Sequence, residues 1–295
     1  MVQCTAENNK DREIKEEIMS LSVNTNISAI DAYNNLNQTS NAMQQTISQL
    51  SSGLQIQTAA DNASGYVISQ GLNVQANGLG VAINNGQNGI SVLQIAAGAM
   101  NQQISILQRM NELATQAANA GTSNSGSLAA DQQEFQALQN QLDQIANSTQ
   151  FGQTQLLNGT YSNQSFQIGA YASGADQVVV SIATLNTTTM GVSTASVSIG
   201  TSSAALVAMS AVQSAIQYVA STEATVGATQ NQIQAIIAND TVGQQNVQSA
   251  YSTLVDTNVA QAMTKFSSQQ VLMQSGIAML SQAQSLPQLL LKLIP

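Results

Sequence analysis

The residues that could carry out catalysis or bind a metal are few in this 295-residue chain and are scattered along it. The chain has no histidine, so no imidazole can act as an acid, a base or a metal ligand. Its carboxylates do not cluster, which argues against a carboxylate dyad and against an oxygen cage for a hard cation. The glycine-rich stretch 71–89 follows no predicted strand and lacks the lysine of a phosphate-binding loop. We therefore predict that the protein is not an enzyme and needs no metal or cofactor.

The charge balance argues against nucleic-acid and membrane partners. The net charge is −9 and only six residues are Lys or Arg, so no basic stripe can neutralise a phosphate backbone. No apolar run approaches the length of a bilayer span. No basic segment followed by an apolar one marks a cleaved secretory signal, although export by another route stays open. We predict no nucleic-acid partner and no membrane partner.

Uncharged polar residues take the place of charged ones. Charged residues make up 7% of the chain, against about a quarter in ordinary globular proteins. Low-complexity disorder is one interpretation, but regular apolar periodicity throughout the chain argues against it. Aromatic residues make up 3% and tryptophan is absent, which suits helix-on-helix packing better than a sandwich or a barrel.

The first eighteen residues differ from the rest. They hold the only cysteine, Cys4, and eight of the 21 charged residues, which are six basic and fifteen acidic. A functional leader and a misplaced translation start are the two interpretations, and we favour the second. The codons of 15–17 could form a bacterial ribosome-binding sequence, which would make Met19 the true start. The chain from Met19 would then have no thiol chemistry and no disulfide.

Apolar stripes at both ends of the chain are the elements that the sequence encodes most clearly. We call them the terminal seams. Their members recur at steps of three and four residues: Leu36, Met43, Ile47, Leu50 and Leu54 at one end, and Val259, Met263, Phe266, Met273, Ile277 and Leu280 at the other. Such a stripe needs a partner helix in water. The two seams can pair with each other or with copies of the chain, so we predict an assembly protein.

Helices and one β-hairpin are predicted between the seams. Helices are expected over 66–117, with interruptions at the glycines of 71–89, over 128–145, and from 204 onward. The strongest periodic segment is 90–114. Two short strands near 165–182 form the hairpin, and residues 184–203 are predicted to be irregular.

Seven stretches, in the same order along the chain, resemble the sequence of bacterial flagellin. They are 20–26 (SLSVNTN), 50–56 (LSSGLQI), 59–65 (AADNASG), 88–94 (NGISVLQ), 107–117 (LQRMNELATQA), 150–159 (QFGQTQLLNG) and 272–290 (LMQSGIAMLSQAQSLPQLL). The resemblance implies a mainly α fold, an elongated antiparallel helical hairpin or coiled-coil bundle with a small β-hairpin. It implies an inner coiled-coil domain built from 19–58 and 251–295, and a core helical domain over 59–250. Little chain lies between Ile182 and Ala204, so this would be a short form without outer variable domains.

The resemblance implies a structural subunit that is secreted through type III export and polymerises into the extracellular flagellar filament for swimming. The implied partners are other copies of the chain, an export chaperone, cap and junction proteins, and the animal innate flagellin receptor. Arg109, Leu113 and Glu134 match family positions at subunit and receptor contacts. A hook–filament junction protein and a secreted coiled-coil adhesin or effector are the alternatives. In the monomer we expect about 20–55 and 256–295 to be largely disordered and to fold on assembly.

The chain departs from the family pattern by carrying amides where charges are usual, at Gln55, Asn111, Gln144, Gln150 and Gln155. Surface ion pairs contribute little to folding, so the fold tolerates this change. Adaptation to an acidic medium and drift in a low-charge lineage both explain it. Asn111 in place of a basic residue should weaken receptor binding.

Overall fold

The computed structural model describes residues 25–119, 121 and 124–293, with side chains up to residue 285. The predicted extension over 1–18 lies outside these residues. The described chain divides into two compact units. The described parts of Met1–Gly71 and Ala250–Pro295 form one unit, the terminal unit, and Leu72–Ser249 forms the other, the core unit. The predicted domain boundaries stay predictions.

Within the described residues the chain forms five long α-helices and two short antiparallel strand pairs. In chain order these are α1 (Ile27–Ser52), α2 (Ala63–Ala118), α3 (Ser125–Ser148), β1 (Gln150–Phe151), β2 (Thr154–Gln155), β3 (Gln164–Gln167), β4 (Gln177–Val180), α4 (Ser202–Val255) and α5 (Val259–Leu293). The predicted fold class, mainly α with a small β-hairpin, is confirmed.

Both ends of α1 carry capping residues that the sequence shows. The side chain of Asn26 accepts a hydrogen bond from the Ala29 N–H at 3.0 Å, which satisfies a backbone donor that the first turn leaves unpaired. Gly53 ends the helix with φ of 75°, and its N–H bonds to the carbonyl of Gln49 at 2.9 Å. A left-handed residue at this position is the commonest way for a helix to stop.

The glycines of 71–89 do not interrupt α2, so the predicted breaks are wrong. Instead, several of them make room for neighbouring segments of the core unit. A Cβ added at Gly78 would lie 3.0 Å from the Cβ of Ala170 in the β3–β4 connection. A Cβ at Gly86 would lie 2.8 Å from Cγ1 of Ile237 on α4. Each glycine costs helix propensity, about 1 kcal/mol relative to alanine, and close packing compensates for that cost.

The core unit has a hydrophobic core to which α2, α3, α4 and the β3–β4 hairpin all contribute. The fully buried positions of α2 recur at steps of three and four: Leu93, Ala96, Met100, Gln103, Leu107, Met110, Ala114 and Ala117. All but the last of these lie within the periodic segment predicted over 90–114. On α3, Phe135 and Leu142 are completely buried against the same core.

Among the described helices, only α4 is long and apolar enough to cross a bilayer. Its mean hydropathy reaches 1.3 over an 18-residue window. No long uninterrupted apolar run marks α4 in the sequence, because Ser, Thr and Gln residues are interspersed among its Ala and Val residues. Its buried positions, from Ala205 to Ile233, belong to the hydrophobic core of the core unit. Core packing accounts for these buried positions, but Leu206 and Val207 on the same helix are 61% and 62% exposed. The absence of a membrane partner stays a prediction.

The β3–β4 hairpin forms close to where it was predicted, with Phe166 opposite Val178. The β1–β2 hairpin was not predicted, because two-residue strands carry no alternation. Its turn contains Gly152 with φ of 62°, a conformation that glycine adopts readily.

Polar side chains hold the segment between β4 and α4, which is irregular as predicted, against the helices of the core unit. The carboxylate of Asp143 accepts hydrogen bonds from the N–H and the Oγ1 of Thr187, both at 2.8 Å. The buried amide of Gln139 donates to the carbonyl of Val192 at 2.8 Å, and that of Gln103 donates to the same segment at 2.9 Å. This segment is therefore a fixed part of the core unit.

Candidate assembly interface

The terminal helices α1 and α5 lie antiparallel to each other in the terminal unit. At one end, Nδ2 of Asn26 donates to the carbonyl of Ala283 at 2.7 Å. At the other end, Leu54 and Asp256 form an antiparallel bridge, and the Thr257 N–H donates to the carbonyl of Gly53 at 2.8 Å. The terminal seams are therefore partners within one chain, which is one of the two pairings that the sequence left open.

Large and small side chains alternate along the contact between α1 and α5. The buried and half-buried positions recur at steps of three and four: Ala29, Ala32, Leu36, Thr39, Met43, Thr46, Leu50 and Gly53 on one side, and Ala262, Phe266, Gln269, Met273, Gly276, Leu280 and Ala283 on the other. This spacing is that of an antiparallel coiled coil. The small residues let the backbones approach, as where Leu36 packs against Gly276.

The structure splits each predicted terminal seam into a covered part and an exposed part. Seven of the eleven positions are half-buried: Leu36, Met43, Leu50, Leu54, Phe266, Met273 and Leu280. The other four stay exposed: Ile47 at 45%, Val259 at 57%, Met263 at 49% and Ile277 at 55%. Apolar periodicity alone did not reveal the small and polar residues that complete the contact.

Four exposed apolar side chains form what we call the exposed flank: Tyr33, Ile47, Met263 and Ile277. Each follows directly after a small or polar residue of the α1–α5 contact, so all four lie on the same side of the antiparallel pair. The register of the bridge and of the Asn26 hydrogen bond brings Tyr33 level with Ile277 and Ile47 level with Met263. The hairpin thus leaves a second apolar surface uncovered.

The opposite flank of the hairpin contains an open groove of about 520 Å³. Leu36 and Gly276 lie among its lining residues, and the exposed side chains of Leu272 and Met279 stand at its edge. Asp31 adds a carboxylate to the lining. Both flanks of the terminal hairpin therefore leave apolar side chains open to a partner, and in the groove these lie among polar residues.

Arg109 of α2 bridges two helices at the surface of the core unit. Its Nη2 and Nε lie 2.8 and 2.9 Å from Oε1 of Glu134 on α3, and its Nη1 lies 3.1 Å from Oε2 of Glu112. The hydrogen bond to Glu134, and then that to Glu112, raises the pKa of Arg109. The side chains of Arg109 and Glu134 are about half exposed and that of Glu112 is 67% exposed, so the cluster is open to a partner.

Of the three predicted contact residues in the core unit, the structure brings Arg109 and Glu134 together. Leu113 lies apart from them in the hydrophobic core, 2% exposed, so in the free subunit its side chain is not available to a partner. Glu112 was not predicted as a member of this cluster, although its three-residue spacing from Arg109 could have revealed it.

Within the described residues, no group of three or more His, Cys, Asp or Glu side chains is placed to hold a metal ion. The polar groups described above serve to pair helices and to fix loops.

Comparisons with known proteins agree over most of the chain. The bacterial flagellin N-terminal helical region matches residues 23–162, and the bacterial flagellin C-terminal helical region matches residues 209–294. The flagellin of Bacillus subtilis strain 168 is 35% identical over 303 residues, covering 92% of this chain and 99% of that protein. Polar flagellin A of Vibrio parahaemolyticus is 43% identical over 178 residues, covering 60% of this chain but only 46% of that protein. The chain thus spans less than half the length of this Vibrio relative. Among solved structures, Bacillus cereus flagellin is 25% identical, with a TM-score of 0.46 over 53% of this chain and 88% of that one.

Proposed function

Because this chain belongs to the bacterial flagellin family, we propose that it is the structural subunit of an extracellular flagellar filament, a helical polymer that drives swimming. The junction protein and the adhesin or effector are not favoured, because the family models and these relatives are all flagellins. An enzyme is not favoured either, because the flagellin family is structural.

One observation carries the proposal: the α1–α5 hairpin leaves an apolar flank exposed after its helices have paired. About half of each side chain of the exposed flank is still in contact with water. Complete burial against a neighbouring copy contributes about 1 kcal/mol for each of these side chains. In a helical polymer every subunit repeats the same contact, so these contributions recur along the filament.

The low stability of the terminal helices on their own also favours assembly. An isolated helix rich in Ser, Thr and Asn is marginal in water, and two such helices share only one contact face. We expect the terminal hairpin to be loosely ordered in the free subunit and fully ordered in the filament. Ordering and association are then coupled.

The core unit supplies the second proposed contact, at Arg109 and Glu134. Their partly exposed guanidinium and carboxylate can bind a neighbouring subunit or the innate flagellin receptor. Leu113 supports this surface from the core. The export chaperone, the cap and the junction proteins complete the proposed set of partners.

A paired substitution tests the role of the exposed flank. The double variant I47S/I277S removes two apolar side chains from the flank, and V179S/V207S is a matched control on exposed residues of the core unit. We expect the first variant to keep its helix content by circular dichroism and to fail to polymerise after heat dissociation, as judged by sedimentation and electron microscopy. The control should polymerise like the wild type. Equal polymerisation of the two variants would refute the proposal.

A further inference from the structure

The methionines of the described chain fall into three groups by exposure. Met263 and Met279, both on α5, are 49% and 63% exposed. In the core unit, by contrast, Met100 and Met110 are completely buried and Met190 is nearly so. The remaining methionines of the described chain are half-buried: Met43, Met209 and Met273. The accessible thioethers therefore lie on the helix that presents the proposed assembly surface.

The two exposed methionines lie on opposite flanks of the terminal hairpin. Met263 belongs to the exposed flank and stands level with Ile47. Met279 lines the groove on the other side, together with Leu36. A change in polarity at these two sulfur atoms thus alters both apolar surfaces at once.

Peroxides oxidise an accessible thioether by a two-electron reaction. The sulfur lone pair attacks one peroxide oxygen, the O–O bond breaks and an S–O bond forms. After proton transfer the second oxygen leaves as water. The product, a sulfoxide, is polar and accepts hydrogen bonds, whereas the thioether is apolar. A thiol-dependent sulfoxide reductase reverses the change, since two thiols become a disulfide while the sulfoxide oxygen leaves as water.

We propose that Met263 and Met279 are oxidation sites that control assembly: peroxide converts both to sulfoxides in the free subunit, and the sulfoxides weaken polymerisation reversibly. This inference rests on the proposed function, because it requires that a neighbouring copy bury both flanks. In the filament, burial of a sulfoxide without a hydrogen-bond donor is unfavourable. Once assembled, the same side chains are covered and so resist oxidation.

The test uses the full chain, dissociated into subunits, treated with hydrogen peroxide and then quenched with catalase. Peptide mass spectrometry shows which methionines have gained an oxygen, and sedimentation gives the critical concentration for polymerisation. We expect Met263 and Met279 to react ahead of Met100 and Met110. Oxidation should raise the critical concentration of the wild type at least about tenfold, which corresponds to about 1.4 kcal/mol.

The double variant M263L/M279L and the control variant M209L identify the residues responsible. Each variant is compared with its own untreated sample, so an effect of the substitution itself cancels. The double variant should lose most of the response to oxidation, and the control should respond like the wild type. An unchanged critical concentration of the wild type with both sulfoxides present would overturn the inference, as would an equal loss in the double variant. Failure of the untreated wild type to polymerise would overturn the proposed function as well.

Discussion

Gly276 of α5 packs directly against Leu36 of α1: a Cβ added at Gly276 would lie 3.2 Å from Cδ1 of Leu36. Because glycine has no side chain, this contact lets the backbones of α1 and α5 approach closely. Any larger residue at this position must push the helices apart or displace the leucine.

The substitution Gly276→Val should therefore loosen the terminal hairpin. Overpacking of a close contact costs about 1–3 kcal/mol, and valine regains only part of that through its better helix propensity. Gly98→Val is the matched control, because Gly98 lies within α2 and a Cβ there meets nothing within 4 Å. Thermal unfolding of assembled filaments, followed by circular dichroism, should show a lower midpoint for Gly276→Val alone. Equal midpoints for the two variants would mean that the contact is not tight in the filament.

We expect the buried side chain of Gln139 to stabilise the core unit through its hydrogen bond. Replacing Gln139 by Leu removes the donor to the Val192 carbonyl, which leaves that buried acceptor unpaired. Loss of such a partner costs about 1–3 kcal/mol. Gln141→Leu is the control, because Gln141 is exposed on the same helix. Urea unfolding at neutral pH should show lower stability for the Gln139 variant only, and unchanged stability would indicate that the irregular segment is not held by this bond.

The stability of the core unit should respond to acid through Asp240. Burial, and then the nearby charge of Asp176, raises the pKa of Asp240 above its ordinary 3.8, and its Oδ2 is buried without a hydrogen-bond partner. The folded state thus binds the proton more tightly than the unfolded state does. The ionised carboxylate lowers stability at neutral pH, and this penalty disappears as the pH falls through the raised pKa towards the ordinary value.

Asp240→Asn should consequently stabilise the protein at pH 7, by at most about 1 kcal/mol because solvent screens the pair. The advantage should shrink near pH 4. Urea unfolding of the wild type and the variant at both pH values provides the measurement. A variant that is less stable at pH 7, or whose advantage does not depend on pH, would contradict this account of the pair.

Arg109 should matter for assembly rather than for folding. Its ion pairs are exposed, and exposed pairs contribute little to stability. We expect Arg109→Ala to unfold at the same temperature as the wild type but to polymerise less and to signal less through the innate receptor. Glu112→Ala serves as a control that leaves the Glu134 pair in place. If polymerisation and receptor signalling both persist in Arg109→Ala, Arg109 is not a contact residue.

The sequence predicted the helices and the β3–β4 hairpin because their patterns are local. The caps at Asn26 and Gly53 are equally local signals. The sequence did not predict that α2 continues unbroken through Gly78 and Gly86, because the segments that pack against these glycines are distant in the chain.

The terminal contact illustrates a second limit. Leu36, Met43 and Leu50 were predictable from their spacing, but their partners in the contact include small and polar residues such as Thr46 and Gln269. Apolar spacing placed Ile47 and Met263 in the same seams as the contact residues, whereas the structure leaves them exposed beside the contact. The choice between pairing within the chain and pairing between copies depends on tertiary geometry that periodicity does not contain.

A reconstruction of the filament by electron cryomicroscopy tests the central claim most directly. We expect Ile47, Met263 and Ile277 to be buried against neighbouring copies, while the α1–α5 contact within each subunit is kept. A filament in which these three side chains face solvent would contradict it, because the exposed flank would then not be the surface that holds the subunits together.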